Sequence, residues 1–381
     1  MTLSVLRTPL VAASLLMLVA CAGTPVATTR EPDERGAVDP MLAASGIAHA
    51  VVREAFVTPL TPEDNIDSPA LWRGPDGSAA LLATAKATGR LVRYDGDTGA
   101  ANGTIGAAGK GRGEFDRPNG IFVIDDLVFV VERDNRRVQV LRARDFHAVG
   151  SFGADELRQP YGIWLRRDGD DRYDVLVSDA YMAGTNDAGD DIVPPLAQLD
   201  RRLRRYAVEI RGDGLSAQLR ASLGDTSADG AIRIPESLWG DPAHDRLLIA
   251  EEDVATGTAV REYDLAGRYR GRTLGLGLFK AQAEGIALWQ CADGSGYWIA
   301  TDQYKDRSLF HVFDRASLRH LGAFAGETVA NTDGVWLHQA GTRRFPQGVF
   351  YAVHDDQGVG AFDWRDVAAA LKLRATCDVA E

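Results

Sequence analysis

The stretch "IPESLWGDPAHDRLLIAEED", residues 234–253, contains the unit that decides the fold. A polar residue, Glu236, stands before the small residue Ser237, and an apolar run follows. After a turn, a second apolar run ends in the acids Glu251 and Glu252. Short apolar runs that are separated by Asp, Gly and Pro turns are typical of β-strands. The stretch therefore predicts a pair of strands with acidic residues at its open end.

The same pattern occurs six times between residues 65 and 364, at intervals of about 40 to 75 residues. Such intervals are typical of four-stranded propeller blades, which run roughly 40 to 50 residues plus insertions. No such unit can bury both of its faces alone, so the units must stack in a ring. The sequence predicts an all-β fold, a six-bladed β-propeller of four-stranded blades around a central channel, with an inserted loop near 182–230. The small residue of each unit is Ser68, Gly120, Gly162, Ser237, Gly285 or Gly334.

Equivalent positions of the six units should point at one region of the channel axis, because the blades are related by rotation. The residues before the small residue are Asp67, Asn119, Tyr161, Glu236, Glu284 and Asp333. At the ends of the second strands stand Lys86, Glu132, Arg133, Asp179, Glu251, Glu252, Asp302, His354 and Asp355. Clustered carboxylates repel and raise one another's pKa values. A hard cation relieves that repulsion, and an oxygen-rich, sulfur-free cluster favours Ca²⁺. The alternative is that each acid only makes a solvated turn.

Charge and composition exclude some partners. The net charge is −12, and no run of five basic residues occurs. Nucleic acid is therefore not expected as a partner.

The N-terminus reads as a targeting segment. Residues 1–20 combine Arg7 with a short apolar run, and "LVAC" at 18–21 resembles the bacterial lipobox. This resemblance predicts a lipoprotein signal peptide over 1–20 and lipid attached to Cys21, so that the chain is anchored to a membrane. Since Ala22 follows, an outer-membrane lipoprotein facing the periplasm or the cell surface is expected. An ordinary signal peptide with a chance cysteine is the alternative.

The remaining boundaries follow from composition. Residues 21–50 are rich in Pro, Thr, Ala and charge, which is typical of a flexible tether. The propeller is expected over 51–375 and a C-terminal tail over 376–381. Cys291 and Cys377 either form a disulfide, as an exported protein allows, or remain two free thiols, and the sequence leaves both open.

Several stretches together resemble the β-propeller phytase family, and the resemblance covers about residues 52–373. They are "NIDSPALW", "PYGI", "IPESLWGDPAHDRLLIAEED", "AEGIALWQCADGSGYWIATDQ", "FHVFDR", "NTDGVWL" and "FDWRDVA". The resemblance implies a calcium-dependent phosphoric monoester hydrolase, a 3-phytase, that releases phosphate from phytate (myo-inositol hexakisphosphate) or a related inositol or sugar phosphate. It implies metal or water handling by Asn65, Asp67, Glu236, Glu252, Glu284, Asp333 and Asp355. It further implies a catalytic set of Glu236, Glu284, Lys86, Arg133 and Tyr161.

Departures from the family pattern weaken the expected phosphate and calcium binding. The family carries an adjacent Lys-Glu pair where this chain has Ala180 and Tyr181 after Asp179, and Gln282 stands where an acid is expected. Asn65 and Ser68 replace acids of the first motif, and Lys110, Lys305 and Arg307 are the cations that would compensate. We expect a monomeric enzyme. The alternatives are a non-catalytic outer-membrane propeller that binds a ligand or a protein, and a lactonase-like hydrolase.

Overall fold

The computed structural model describes residues 39–187 and 189–378. Within them, six sheets of four or five strands form a ring in which each inner strand contacts the inner strands of both neighbours. This arrangement confirms the predicted six-bladed propeller. The predicted signal peptide, Cys21, most of the predicted tether and residues 379–381 lie outside the described residues.

Each blade is an antiparallel sheet of four strands. From the channel outward, the strands are Ile66–Arg73, Ala79–Ala85, Arg90–Asp95 and Ala101–Ile105 in blade 1; Pro118–Ile124, Leu127–Glu132, Arg137–Arg142 and Ala148–Phe152 in blade 2; Pro160–Arg167, Arg172–Asp179, Leu203–Arg211 and Gly214–Leu223 in blade 3; Pro235–Asp241, Arg246–Glu251, Ala259–Tyr263 and Tyr269–Leu274 in blade 4; Ala283–Gln290, Gly296–Asp302, Leu309–Asp314 and His320–Ala325 in blade 5; and Val335–His338, Val349–His354, Gly358–Asp363 and Phe56–Val57 in blade 6. Because neighbouring blades cover both faces of the middle strands, a strand such as Leu127–Glu132 is buried along its whole length.

The N-terminal part of the chain closes the ring. Phe56–Val57 forms the outer strand of blade 6 and pairs with the C-terminal strand Gly358–Asp363. Ala50–Val51 adds a short parallel strand to the edge of blade 5. Two distant parts of the chain therefore complete one blade, which links the start of the propeller to its end.

Blade 3 corrects the predicted extent of the insertion. The sequence analysis assigned residues 182–230 to a loop, but Leu203–Arg211 and Gly214–Leu223 are the third and fourth strands of this blade. Charged residues interrupt the apolar ones in the third strand, where Arg204 is buried and Arg211 is exposed, and this hides the strand pattern. The inserted segment is thus residues 180–202, with the hairpin Gly184–Thr185 and Asp191–Ile192 and the 3₁₀ turn Leu196–Gln198.

The remaining elements lie at the periphery. The C-terminal helix Trp364–Leu371 buries Trp364, which stacks on Trp289 of blade 5 with ring centroids 5.3 Å apart. The other elements are the helix Leu42–Ser45, the 3₁₀ turn Pro242–His244 and the parallel pair Ala107–Ala108 with Glu114–Phe115. A disulfide joins Cys291 to Cys377, so the predicted tail is covalently tied to blade 5.

The small residues of the repeat allow the inner strands to pack closely. A Cβ atom on Gly162 would lie 2.6 Å from the carbonyl oxygen of Glu236, and one on Gly334 would lie 2.6 Å from that of Asp67. The Gly334 amide also donates a hydrogen bond to the Asp67 carbonyl, at 2.9 Å. Strands this close bring the side chains that precede the small residues to one end of the channel.

Aromatic side chains fill the channel farther along the inner strands. Phe122, Trp239 and Trp336 come from alternate blades and meet with ring centroids 5.2 to 5.6 Å apart. These three rings therefore fill the channel beyond the small residues.

Candidate functional site

The mouth of the channel holds a cluster of buried acidic side chains. Asp67, Glu236, Glu284 and Asp333 precede the small residues of four blades, and the first three are at most 5% exposed. Tyr161 takes the same position in blade 3, and its hydroxyl donates a 2.9 Å hydrogen bond to Asp67 Oδ2. The structure thus brings these five predicted residues together at one site.

Lys86 neutralises one side of this cluster. Its Nζ atom lies 3.1 Å from Asp67 Oδ2 and 3.2 Å from Asp333 Oδ2, and its side chain is only 5% exposed. Burial raises the pKa of the Asp333 carboxyl well above its usual range, and the Lys86 ammonium opposes that shift. One ammonium group therefore offsets the repulsion between two carboxylates that belong to neighbouring blades.

Three glutamates form the other side. Burial raises the pKa of Glu236 well above its usual value, and the nearby carboxyls of Glu284 and Glu252 raise it further. Burial likewise raises the pKa of Glu284, and Glu252 and Asp333 add to the shift. Gln282 donates a 2.7 Å hydrogen bond to Glu252 Oε1. This side has more carboxyl groups than cationic partners, which favours bound protons or a bound cation.

Residues immediately after the second strands also reach the cavity. Lys86, Glu252 and Gln303 line it, and Gln303 donates a hydrogen bond to Asp333 Oδ1. Lys305, which the sequence analysis did not place, lines it too and donates a 2.6 Å hydrogen bond to Asn331 Oδ1.

The last residues of the second strands have a different role. Glu251 accepts hydrogen bonds from the amides of Arg233 and Ile234 at 2.8 and 2.9 Å. Asp179 and Asp302 accept backbone amides of the preceding loops in the same way. These acids hold the loops that lead into the inner strands, and so they position Tyr161, Glu236 and Glu284 without lining the cavity.

Two predicted metal-binding residues lie away from the cluster. The Asp355 side chain is exposed, and Asp356 lines the cavity in its place, because both residues have left-handed backbone angles that turn the chain there. Asn65 also has a positive φ, of 49°, and its carbonyl accepts a 2.9 Å hydrogen bond from the Lys86 amide. The Asn65 backbone therefore helps to orient Lys86.

Arg133 lies beside the cluster and outside the inner cavity. Its Nε donates a 2.8 Å hydrogen bond to Asp134, and the residue lines an adjoining cleft. Arg307, another predicted compensating cation, donates a 2.6 Å hydrogen bond to the Gly326 carbonyl.

The mouth thus contains two connected spaces. The inner cavity, about 30 Å³, has room for one or two water-sized groups. The adjoining cleft, about 240 Å³, has room for an organic ligand. Tyr161, Glu236 and Glu252 line both spaces, so a group held in the cleft lies directly against the acidic cluster.

Among residues 39–187 and 189–378, no three His, Cys, Asp or Glu side chains already stand as a ligand set for a metal ion. No helix of the described residues is long and apolar enough to span a membrane.

Comparisons with known proteins identify no family for this chain. No family model matches the chain, and no curated protein sequence matches it either. A chain of the nidogen/laminin complex is 14% identical with a TM-score of 0.45, over 70% of this chain and 82% of that chain. A chain of Kuenenia stuttgartiensis hydrazine synthase is 14% identical with a TM-score of 0.44, over 78% of this chain and 75% of that chain.

Proposed function

We propose that this protein is a calcium-dependent phosphomonoester hydrolase whose active site is the channel mouth. The observation that carries the proposal is the buried group of Glu236, Glu252 and Glu284, which lies in a cavity lined by five carboxyl and two ammonium groups of the described residues and borders a cleft containing Arg133. The sequence resemblance supplies the reaction class and phytate, or a related inositol or sugar phosphate, as the expected substrate.

The donor chemistry fits a hard divalent cation. Carboxylate oxygens are the ligands that Ca²⁺ prefers, and the Lys86 ammonium already takes the space between Asp67 and Asp333. The three glutamates are therefore the residues that would hold the ion. When bound, it would offset phosphate charge and lower the pKa of a water molecule.

The chain's own residues supply the remaining functions. Arg133 in the cleft, and Lys86 and Lys305 in the cavity, provide donors for phosphate oxygens. Tyr161 and Lys86 both hold Asp67 Oδ2, which fixes the side of the site opposite the glutamates.

Phosphate release tests this function. The chelator-treated protein is assayed on phytate, glucose 6-phosphate and 4-nitrophenyl phosphate, with and without added calcium. We expect turnover that requires calcium and that falls at least a hundredfold in Glu284→Gln, whereas the control Glu327→Gln, at an exposed residue, keeps full activity. Turnover that survives chelation would refute the proposed mechanism.

A second candidate function is a binding module without catalysis. Ala180 and Tyr181 occupy the place of the family's Lys-Glu pair, and Lys86 is already engaged in two ion pairs. Calcium binding without turnover on any of the three esters would favour this candidate.

We also propose that Cys21 carries a lipid that anchors the chain to the outer membrane. The support is the lipobox-like sequence, which lies outside the described residues. Metabolic labelling with palmitate, compared between the native chain and Cys21→Ser, tests the anchor. Equal labelling of both would refute it.

A further inference from the structure

The cleft beside the acidic cluster has a charge balance that disfavours a polyanion. It holds one cationic side chain, Arg133, against the acids Asp191, Glu236, Glu252 and Asp253. The charge of Asp253 is only partly offset by Arg233, whose Nε lies 3.8 Å from Asp253 Oδ2. Even with calcium held by the glutamates, Asp191 and Asp253 would repel the additional phosphates of a ligand that fills the cleft.

The rest of the cleft is apolar. Ala180, Met182, Val193, Ile234 and Ala255 line it, and they come from the inserted segment of blade 3 and from blade 4. These side chains form a wall opposite the polar end that Tyr161, Glu236 and Glu252 share with the inner cavity. Such a space suits a ligand with one polar end and one apolar end.

Hydrogen bonds hold the wall in place. The buried Arg202 guanidinium donates to the carbonyl oxygens of Asp179, Tyr181, Ile232 and Arg233, and lies 4.4 Å from the Tyr181 ring. The Met182 amide donates a 2.8 Å hydrogen bond to Gln159 Oε1. Tyr181 is therefore turned into the protein, while Ala180 and Met182 face the cleft. Because both sides of the cleft are fixed to one guanidinium, the apolar surface is formed before a ligand binds.

We infer that the substrate is a monophosphate ester of a compact apolar or aromatic alcohol, and not a highly phosphorylated inositol. This inference rests on the proposed function for the reaction, but its recognition element, the apolar cleft, is a matter of binding alone. The phosphate would lie at the Arg133 and Tyr161 end, and the apolar group against Met182, Val193 and Ile234. Burial of a phenyl-sized group favours binding in proportion to the apolar area removed from water.

Calorimetric titration at a fixed calcium concentration tests this inference by comparing two phosphonates, which have no P–O ester bond to hydrolyse, with inositol hexakisphosphate. We expect benzylphosphonate to bind at least tenfold more tightly than methylphosphonate, and also more tightly than inositol hexakisphosphate. Met182→Lys and Val193→Lys should each reduce the preference for benzylphosphonate at least fivefold. Leu60→Lys, an exposed apolar residue outside the cleft, should leave it unchanged.

The outcomes separate the two proposals. Equal binding of benzylphosphonate and methylphosphonate, or tighter binding of inositol hexakisphosphate, would overturn the inferred substrate class even if phosphate release occurs. A preference for benzylphosphonate without phosphate release from benzyl phosphate would support the apolar cleft and refute the hydrolase.

Discussion

Replacing Lys86 by Met tests the electrostatic account of the channel mouth. The Lys86 side chain is 5% exposed and lies 3.1 and 3.2 Å from carboxylate oxygens of Asp67 and Asp333. Met preserves most of the side-chain volume but removes the charge, so two buried carboxylates from different blades lose their shared cation.

The cost follows from the burial of that pair. Removing one partner of a buried ion pair typically lowers the free energy of unfolding by about 3–5 kcal/mol. The unfolding entropy is about 0.7 kcal/mol per degree for a domain of roughly 330 residues, so the midpoint should fall by about 4–7 °C. Burial raises the pKa of the Asp333 carboxyl, so the difference should shrink as the pH falls and this group takes up a proton.

Thermal denaturation in calcium-free buffer at pH 7 measures the effect. The matched control is Lys280→Met, because the Lys280 side chain is exposed and its loss should change the midpoint by less than a degree. Adding Asp333→Asn to Lys86→Met should recover part of the loss, since one unpaired carboxylate is removed. A Lys86→Met protein as stable as the native chain would refute the bridging role of Lys86.

Three further predictions concern stability. The disulfide closes a chain segment with a sequence separation of 86, so Cys291→Ser should lower the free energy of unfolding by about 2–4 kcal/mol, and dithiothreitol should destabilise only the native chain. Burial lowers the pKa of His338 to about 4, against about 6.5 when unfolded, so its contribution is complete above pH 6.5 and is lost as the pH falls towards 4. His338→Gln should therefore reduce the loss in the free energy of unfolding between pH 7 and 5 by at most about 2 kcal/mol, and an equal loss in both proteins would contradict this. Glu251→Gln places a side-chain NH2 group opposite a backbone N–H donor. The free energy of unfolding measured with urea should therefore fall by about 1–3 kcal/mol, and an unchanged midpoint would contradict the loop-holding role.

The fold and the site residues that precede the small residues could be predicted from the sequence, because both follow the sequence repeat. A small residue after a polar one marks a position where the backbones of neighbouring inner strands approach closely, as they do at Gly162 and Gly334. The same offset in every blade therefore identified Asp67, Glu236, Glu284 and Asp333 without knowledge of any contact.

The residues at the ends of the second strands could be predicted only in part. A shift of one residue along the chain there changes the direction in which a side chain points. Glu251 and Glu252 are adjacent acids, yet the first holds a loop and the second faces the cavity. At Asp355 and Asp356 two consecutive left-handed residues shift the register, and such backbone angles leave no clear sign in the sequence apart from the paired Asp residues.

Calorimetric titration of the chelator-stripped protein with calcium tests the central claim most directly. That claim is that Glu236, Glu252 and Glu284 form a cation site at the channel mouth. We predict saturable binding to the native chain that is weakened at least tenfold in Glu284→Gln and is unchanged in Glu327→Gln. Absence of binding to the native chain, or equal binding to the native chain and Glu284→Gln, would contradict the claim.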